Sequence, residues 1–325
     1  MSYLKLNQLL KKADQHTFEI CPHGTCVYED YLRSDKIDAY AMLNMSNQRE
    51  NLLSAYDENI DIYIESLREL LQNHKSLNYV VENQPLTFTW LIDGQEFTST
   101  SLFFEYYMAN LMRVVNDIGS AMTRKKNTAN AIFKQTKDDI IHLAKILPNW
   151  KTTHFIQPQP TYVTTAEFLK QLLYFCHATQ AMYMAYKDDQ SLRTIVALHS
   201  ASTFYGKMWF RMPVYGTIAQ NHYLLSKALC YHEIAKGIEV EEPEKKYALL
   251  REVKDLYNLV AFKNCYVQES MKENQKLVED NDVEIRTLEQ VYYVTGSFNI
   301  QDIKQPKYLP LKVCQRKNIL GCKCK

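Results

Sequence analysis

The chain has 325 residues, of which 46% are hydrophobic and 23% charged, the balance of a globular protein with a sizeable core. Only 8 Gly and 9 Pro are present, so turns are few and long periodic runs dominate, which points to an all-α protein. Net charge is +1, but residues 304–325 hold seven of the 38 Lys and Arg and no acid; the remaining body has 31 cations against 37 anions and is not charged like a nucleic-acid binder.

MSYLKLNQLLKK at the start has no long apolar stretch of the kind a signal peptide needs. No run of eighteen apolar residues exists, so nothing is expected to span a membrane. Eight cysteines in such a chain are expected to be reduced thiols in the cytoplasm.

In residues 1–45, Leu4, Leu6, Leu9 and Leu10 suit a helix, and Phe18–Ile20 and Cys26–Tyr28 suit short strands. Between 47 and 73, Leu52, Leu53, Tyr56, Ile60, Tyr63, Ile64, Leu67, Leu70 and Leu71 fall on one face of a single predicted helix, with Ser46 or Asn47 as its cap. Residues 85–124 organise the chain. Leu86–Leu91 alternates as a strand does, Asp93-Gly94 marks a turn, and Thr98–Ser101 offers capping hydroxyls. The helix that follows carries Leu102, Phe103, Tyr106, Tyr107, Leu111, Val114, Val115, Ile118 and Met122, apolar around most of its circumference. Such a helix is packed on several sides and forms the central post of a helical domain.

The spacing predicts further helices over 128–147, stopped by Pro148, and over 165–187, opened by a Thr164-x-x-Glu167 capping box. Another is predicted over 190–211, ended by Pro213, and another over 214–236, closed by Gly237 as a C′ residue. A helix from Pro243 runs to 264 or to 280. Leu249, Val253, Leu256 and Val260 form its seam against 214–236, giving a helical hairpin.

The chain lacks the usual catalytic signatures. The glycines are scattered and form no phosphate loop. His232-Glu233 begins like a zinc-protease helix, but Lys236 stands where the second histidine belongs. Cys176 and His177 are adjacent, so on a helix they point apart and cannot form a relay. Cys21, His23 and Cys26 are the most metal-like cluster, with Cys322 or Cys324 as a distant fourth ligand; the simpler reading is a loop of free thiols.

Phe88-Thr89-Trp90 and Asp93, followed by Leu102, Phe104, Glu105, Leu111 and Asn116, resemble the signature of the BRO-domain family. Two later blocks, Leu225–Val260 and Val291–Ile303, resemble that family's Ala/His-rich helical segment and its closing segment, in the same order. The resemblance implies an elongated, curved all-α domain of tetratricopeptide-like helix pairs with a small N-terminal β-sheet, over residues 1–310, and a basic Cys-containing tail over 311–325. It implies a non-enzymatic adaptor without a cofactor, acting in ESCRT-linked membrane traffic. Its partner would be the amphipathic C-terminal helix of an ESCRT-III subunit of the Snf-seven type, held in a hydrophobic hollow.

The residues that the resemblance places at that hollow are Tyr183, Met184, Leu192, Ile195 and Leu198, with Val283 from a late helix. Arg193 or Thr194, and Ala197 or Leu198, stand where the family has apolar anchors. A helical scaffold for a non-ESCRT partner is therefore the alternative, and a Cys/His metal-site protein a more distant one. In the tail, Cys322 is fourth from the end, but Lys323 and Cys324 follow where a prenylation signal has aliphatic residues. Cys322 and Cys324 beside basic residues are candidates for S-acylation, which would bring the chain to endosomal or other membranes as a peripheral protein.

Overall fold

The computed structural model describes residues 20–28, 38–54, 59–73, 86–92, 94–124, 126–147, 162–185, 191–209, 216–239, 241–263 and 267–303. The expected helix at Leu4–Leu10, the turn residue Asp93 and the tail with Cys322 and Cys324 lie outside them. In chain order the elements are β1 (Ile20–His23), α1 (Ala39–Ser54), α2 (Ile60–Asn73), β2 (Phe88–Ile92), β3 (Gln95–Ser99), α3 (Leu102–Thr123) and α4 (Lys126–Ile146). There follow α5 (Ala166–Ala185), α6 (Ser191–Trp209), α7 (Gly216–Lys236), α8 (Pro243–Lys263), α9 (Val267–Val291) and a 3-10 turn at Ile300–Asp302.

The three strands form one antiparallel sheet in the order β1-β2-β3, with Trp90 opposite Pro22 on one side and Phe97 on the other. β2 alternates strictly: Phe88, Trp90 and Ile92 are buried, while Thr89 and Leu91 are half-buried. Pro22 is tolerated because β1 is an edge strand and needs no second ladder. Gly94, at φ +78°, occupies the left-handed position that the β2–β3 turn requires.

β3 is a strand that sequence alone concealed. Of Gln95–Ser99, Gln95 and Glu96 are exposed and Phe97 is the one large apolar side chain turned inward. Thr98 and Ser99 thus end a strand, and Ser101 alone caps α3, its hydroxyl accepting from the Phe104 amide at 3.4 Å.

The predicted helix over 47–73 is two helices, α1 and α2. No Gly or Pro interrupts Ser54–Asn59, and the apolar period of α1 (Met42, Met45, Leu52) continues into α2 (Ile60, Tyr63, Ile64, Leu67), so periodicity alone shows no break. The helix from Pro243 stops at Lys263, and α9 is a separate helix that packs back on α8. Ion pairs line that seam: Lys246 to Glu284 at 2.5 Å and Lys254 to Asp282 at 2.8 Å, while Asn281 Nδ2 donates to the Leu250 carbonyl at 3.1 Å.

Two caps also differ from expectation. Thr165, not Thr164, caps α5: its hydroxyl accepts from the Phe168 amide at 3.1 Å, leaving Glu167 to pair with Lys170 and Gln171. Gly237 does close α7, through its amide on the Ile234 carbonyl, but without the left-handed conformation of a glycine cap.

α3 is the central post. Phe104 through Met112 are all buried, and the helix packs on β1, β2, α2 and α4. From α3 to α9 each helix packs chiefly on the one before and the one after, so the helices stack in chain order. The expected α7–α8 hairpin is present; Leu249, Val253 and Leu256 of its expected seam are buried, and the Val260 side chain lies outside the described residues.

Where the sheet meets α1, α2 and α3 lies a buried polar cluster. Arg49 and Glu105 form an ion pair at 2.8 Å with side chains 2% and 0% exposed. The Glu105 carboxylate also accepts from the Tyr63 hydroxyl at 2.6 Å and from Trp90 Nε1 at 2.5 Å. Arg49 donates its other nitrogens to the carbonyls of Gly24, at 2.8 Å, and Thr89, at 2.9 Å. Tyr28 and Tyr63 share a 2.7 Å hydroxyl contact; since the Tyr63 proton goes to Glu105, Tyr28 is the donor there. Burial opposes the Arg49 charge most strongly, but Glu105 together with Tyr63, Cys26 and Tyr28 outweighs it and holds the guanidinium above its ordinary range. Burial and then Glu105 push both phenols well up, which keeps them protonated as donors.

Removing one charge of this pair strands the other in the core. Glu105→Gln, which keeps the shape, should lower the unfolding free energy by about 3–5 kcal/mol in urea titrations; a loss below about 1 kcal/mol would show that the pair does not organise this end of the molecule.

His222, fully buried on α7 against the Tyr205 ring at 4.9 Å, has its pKa lowered to about 3 by burial. The unfolded chain therefore binds a proton near pH 6.5 that the folded chain refuses, so stability is intact above that value and falls as pH drops towards 3. Between pH 6 and 4, wild type should lose roughly 1.4 kcal/mol per pH unit more than His222→Gln, read from urea midpoints at each pH.

Candidate functional site

The residues expected at the helix-binding hollow come from α5, α6 and α9. Met184 and Leu192 are exposed, Leu192 at 70%, and they stand at the facing ends of α5 and α6. Thr194 ties the two ends together by donating its hydroxyl to the Ala185 carbonyl at 3.1 Å. Ile195 is half-buried and packs on the core one turn after Leu192. Leu198 is 2% exposed and belongs to the core itself, because it lies on the opposite side of α6 with Ala197 and Ala201. Val283 is exposed on α9, whose main partner is α8, so it sits further along the stack. The Tyr183 side chain lies outside the described residues. Met184 thus lies in the last turn of α5, and Leu192 and Ile195 in the first turns of α6.

Next to Ile195 is a recess that the expected residues did not include. It measures about 180 Å³ and is lined by His199, Ser202 and Thr203 of α6 and by Tyr223, Lys227, Cys230 and Tyr231 of α7. Tyr223 lies flat against α6 because Gly206 has no side chain; a Cβ there would come within 3.1 Å of the ring. Lys227 Nζ sits 6.0 Å over the Tyr223 ring, 5.5 Å over the Tyr231 ring and 3.3 Å from a Glu252 carboxylate oxygen. Burial works against the Lys227 charge, but the two tyrosines and Glu252 prevail and raise its pKa. Burial lowers the pKa of His199, so its imidazole is neutral and offers one donor and one acceptor.

Ser202 and Thr203 donate their hydroxyls to the His199 carbonyl at 2.9 and 2.8 Å, and the Cys230 thiol points at the Ile195 carbonyl at 3.7 Å. Burial pushes the Cys230 thiol up to about 12, so it is no nucleophile at neutral pH. The same holds for Cys176, fully buried and raised to about 12, while His177 packs edge-on against Phe204 at 4.6 Å. A signal for the recess does exist in the sequence. Leu192, Ile195, His199 and Ser202 follow at helical steps, and α6 contains no acidic residue.

The Cys21–Cys26 cluster does not assemble as a ligand set. His23 Nε2 lies 2.9 Å from Glu96, Cys26 is buried, and no group of three potential metal ligands comes together among the described residues. Among those residues, too, no helix is long and apolar enough to cross a membrane.

No protein-family model matches the sequence, and no curated protein sequence matches it. The likeness is in the fold. A Bro1 domain solved as the structural basis for endosomal targeting aligns with a TM-score of 0.64 at 14% identity, over 94% of this chain and 96% of that one. ALIX in complex with the SIVmac239 PYKEVTEDL late domain aligns with a TM-score of 0.67 at 11% identity, covering 90% of this chain and 47% of ALIX, so this chain spans about half of that protein's length. A complex of the ALIX BRO1 domain with CHMP4C aligns with a TM-score of 0.64 at 12% identity, over 90% and 93% of the two chains. At such identities the likeness is one of fold. Phe88, Thr89, Trp90, Phe104 and Glu105, which carried the resemblance, are the residues at and around the buried Arg49–Glu105 pair. The sheet, the central helix and the stack behind it, together with these alignments, give this chain the fold of the BRO domain.

Proposed function

We propose that the chain is a non-enzymatic adaptor in ESCRT-linked membrane traffic, which binds the amphipathic C-terminal helix of an ESCRT-III subunit along the α5–α6 face. The observation that carries this reading is the exposure of Met184 and Leu192 at the ends of α5 and α6, with half-buried Ile195 one turn on, on a BRO-domain fold. A structural neighbour with that fold was solved in complex with CHMP4C. Single exposed leucines are ordinary on protein surfaces. Apolar side chains at i and i+3 beside a neighbouring helix end form the kind of shallow groove that an amphipathic helix fills. The chain would work in the cytoplasm, and the basic, Cys-bearing tail over 311–325 would bring it to endosomal membranes as a peripheral protein.

A second reading is favoured by two observations. Leu198 is in the core, and exposed Arg193 or half-buried Thr194 stands where an apolar anchor is expected. Both suit a groove that has turned to a helix of different composition, in a scaffold outside ESCRT.

Fluorescence anisotropy with a labelled peptide of the CHMP4C C-terminal helix separates the two. Binding with a Kd on the order of tens of micromolar is expected, weakened about tenfold or more by Leu192→Asp. No change in anisotropy up to about 1 mM chain would sink the ESCRT-III assignment.

A further inference from the structure

The recess between α6 and α7 shares a helix face with exposed Leu192 and half-buried Ile195. Residues 192, 195, 199 and 202 advance by three or four, so their side chains leave α6 on one side. Leu192 and His199 are two turns apart, about 10.5 Å at the α-helical rise. A helix lying along α6 repeats that distance between its own residues i and i+7. A partner side chain placed against Leu192 therefore has its i+7 neighbour over the recess.

The polar group that the interior of the recess offers is the neutral His199 imidazole, with one donor and one acceptor. The Ser202 and Thr203 hydroxyls give their protons to the His199 carbonyl and keep acceptor capacity alone, and the Cys230 thiol points at a backbone oxygen. An entering side chain meets the rings of Tyr223 and Tyr231, which favours a large apolar group. The α6 side of the edge is cationic, while Glu233 of α7 acts on the Cys230 thiol in the wall. Lys227 borders the recess, and the only charged residues of α6 are Arg193 and Lys207. Glu252 is the carboxylate nearest Lys227, and it belongs to α8, away from the α6 side of the recess.

We propose that this recess is the second anchor pocket of the groove, taking a large apolar side chain of a partner helix and, through Lys227, a carboxylate that the partner carries within one turn of that side chain. The proposal rests on the helix-binding reading and deepens it. The partner is an amphipathic helix with apolar anchors seven residues apart and acidic residues beside the second. Charge then selects among helices that the apolar contacts alone would not distinguish.

The test titrates the whole chain with three labelled peptides. One is the CHMP4C C-terminal helix. The second is a designed amphipathic helix with leucines at i and i+7 and glutamates within a turn of the second leucine. The third is the same design with lysines in place of the glutamates. The glutamate design should bind about tenfold tighter than the lysine design in low salt, a preference that shrinks as salt is added. Thr203→Phe, which fills the recess, should weaken the glutamate design about thirtyfold. Lys227→Met, which keeps the stem, should weaken it about fivefold and reduce the preference for glutamate. Should Leu192→Asp weaken binding while Thr203→Phe and Lys227→Met leave it unchanged, the groove stands and the second pocket is overturned. Should the glutamate design bind in the expected pattern and the CHMP4C helix not bind, the pocket stands and the ESCRT-III assignment fails. Failure of all three peptides to bind overturns both.

Discussion

One buried carboxylate holds the sheet end of this molecule in register. Glu105 on α3 meets Arg49 of α1, Tyr63 of α2 and Trp90 of β2, and Arg49 goes on to the backbone at Gly24 and Thr89. Each of these groups is out of water and would be costly to bury alone, so they are tolerable only together. A hydrophobic core could have been closed in several nearby registers. A carboxylate that must receive three donors from three elements admits one arrangement. This fixes where α3 sits, and α3 in turn starts the stack that ends at α9.

The stack explains why the candidate face lies where it does. A helix that packs on its two neighbours in a row has two flanks buried and leaves others to solvent. On α6 one flank is core, with Ala197, Leu198 and Ala201 buried, and another carries Leu192 and Arg193 into solvent. Gly206 lets Tyr223 close one wall of the recess, and Lys227 remains over two rings at its rim. None of this needs a reactive group. The thiols nearest the face are buried and held in their protonated state.

Much of the architecture was legible because helical period survives in sequence wherever one face is buried. The helices over Leu102–Thr123, Gly216–Lys236 and the first part of the segment from Pro243 lie within a few residues of where apolar spacing, Ser/Thr caps and Pro or Gly stops placed them. The break between α1 and α2 was not legible, because the apolar period runs on across Ser54–Asn59 without a breaker. β3 was hidden for the opposite reason: a five-residue edge strand with one inward aromatic has too little alternation to stand out. The Thr164 cap missed by one residue, since Thr164 and Thr165 are equivalent in composition and only the path of the chain chooses between them.

For the candidate site the division is sharper. Sequence by itself determined that the protein is helical and that Leu102–Thr123 is its central helix, because burial and turn chemistry write themselves into local spacing, while Trp90 and Glu105 stood together only through the resemblance to the BRO-domain family. It could not say which apolar residues of α6 face water, since Leu192 and Leu198 are the same residue type on one helix and differ only in what packs against them. Nor could it show that Glu105 receives Arg49, 56 positions away, or that His199 and Lys227 border one recess. Those are meetings of distant segments, and only the tertiary packing of the stack brings them within reach.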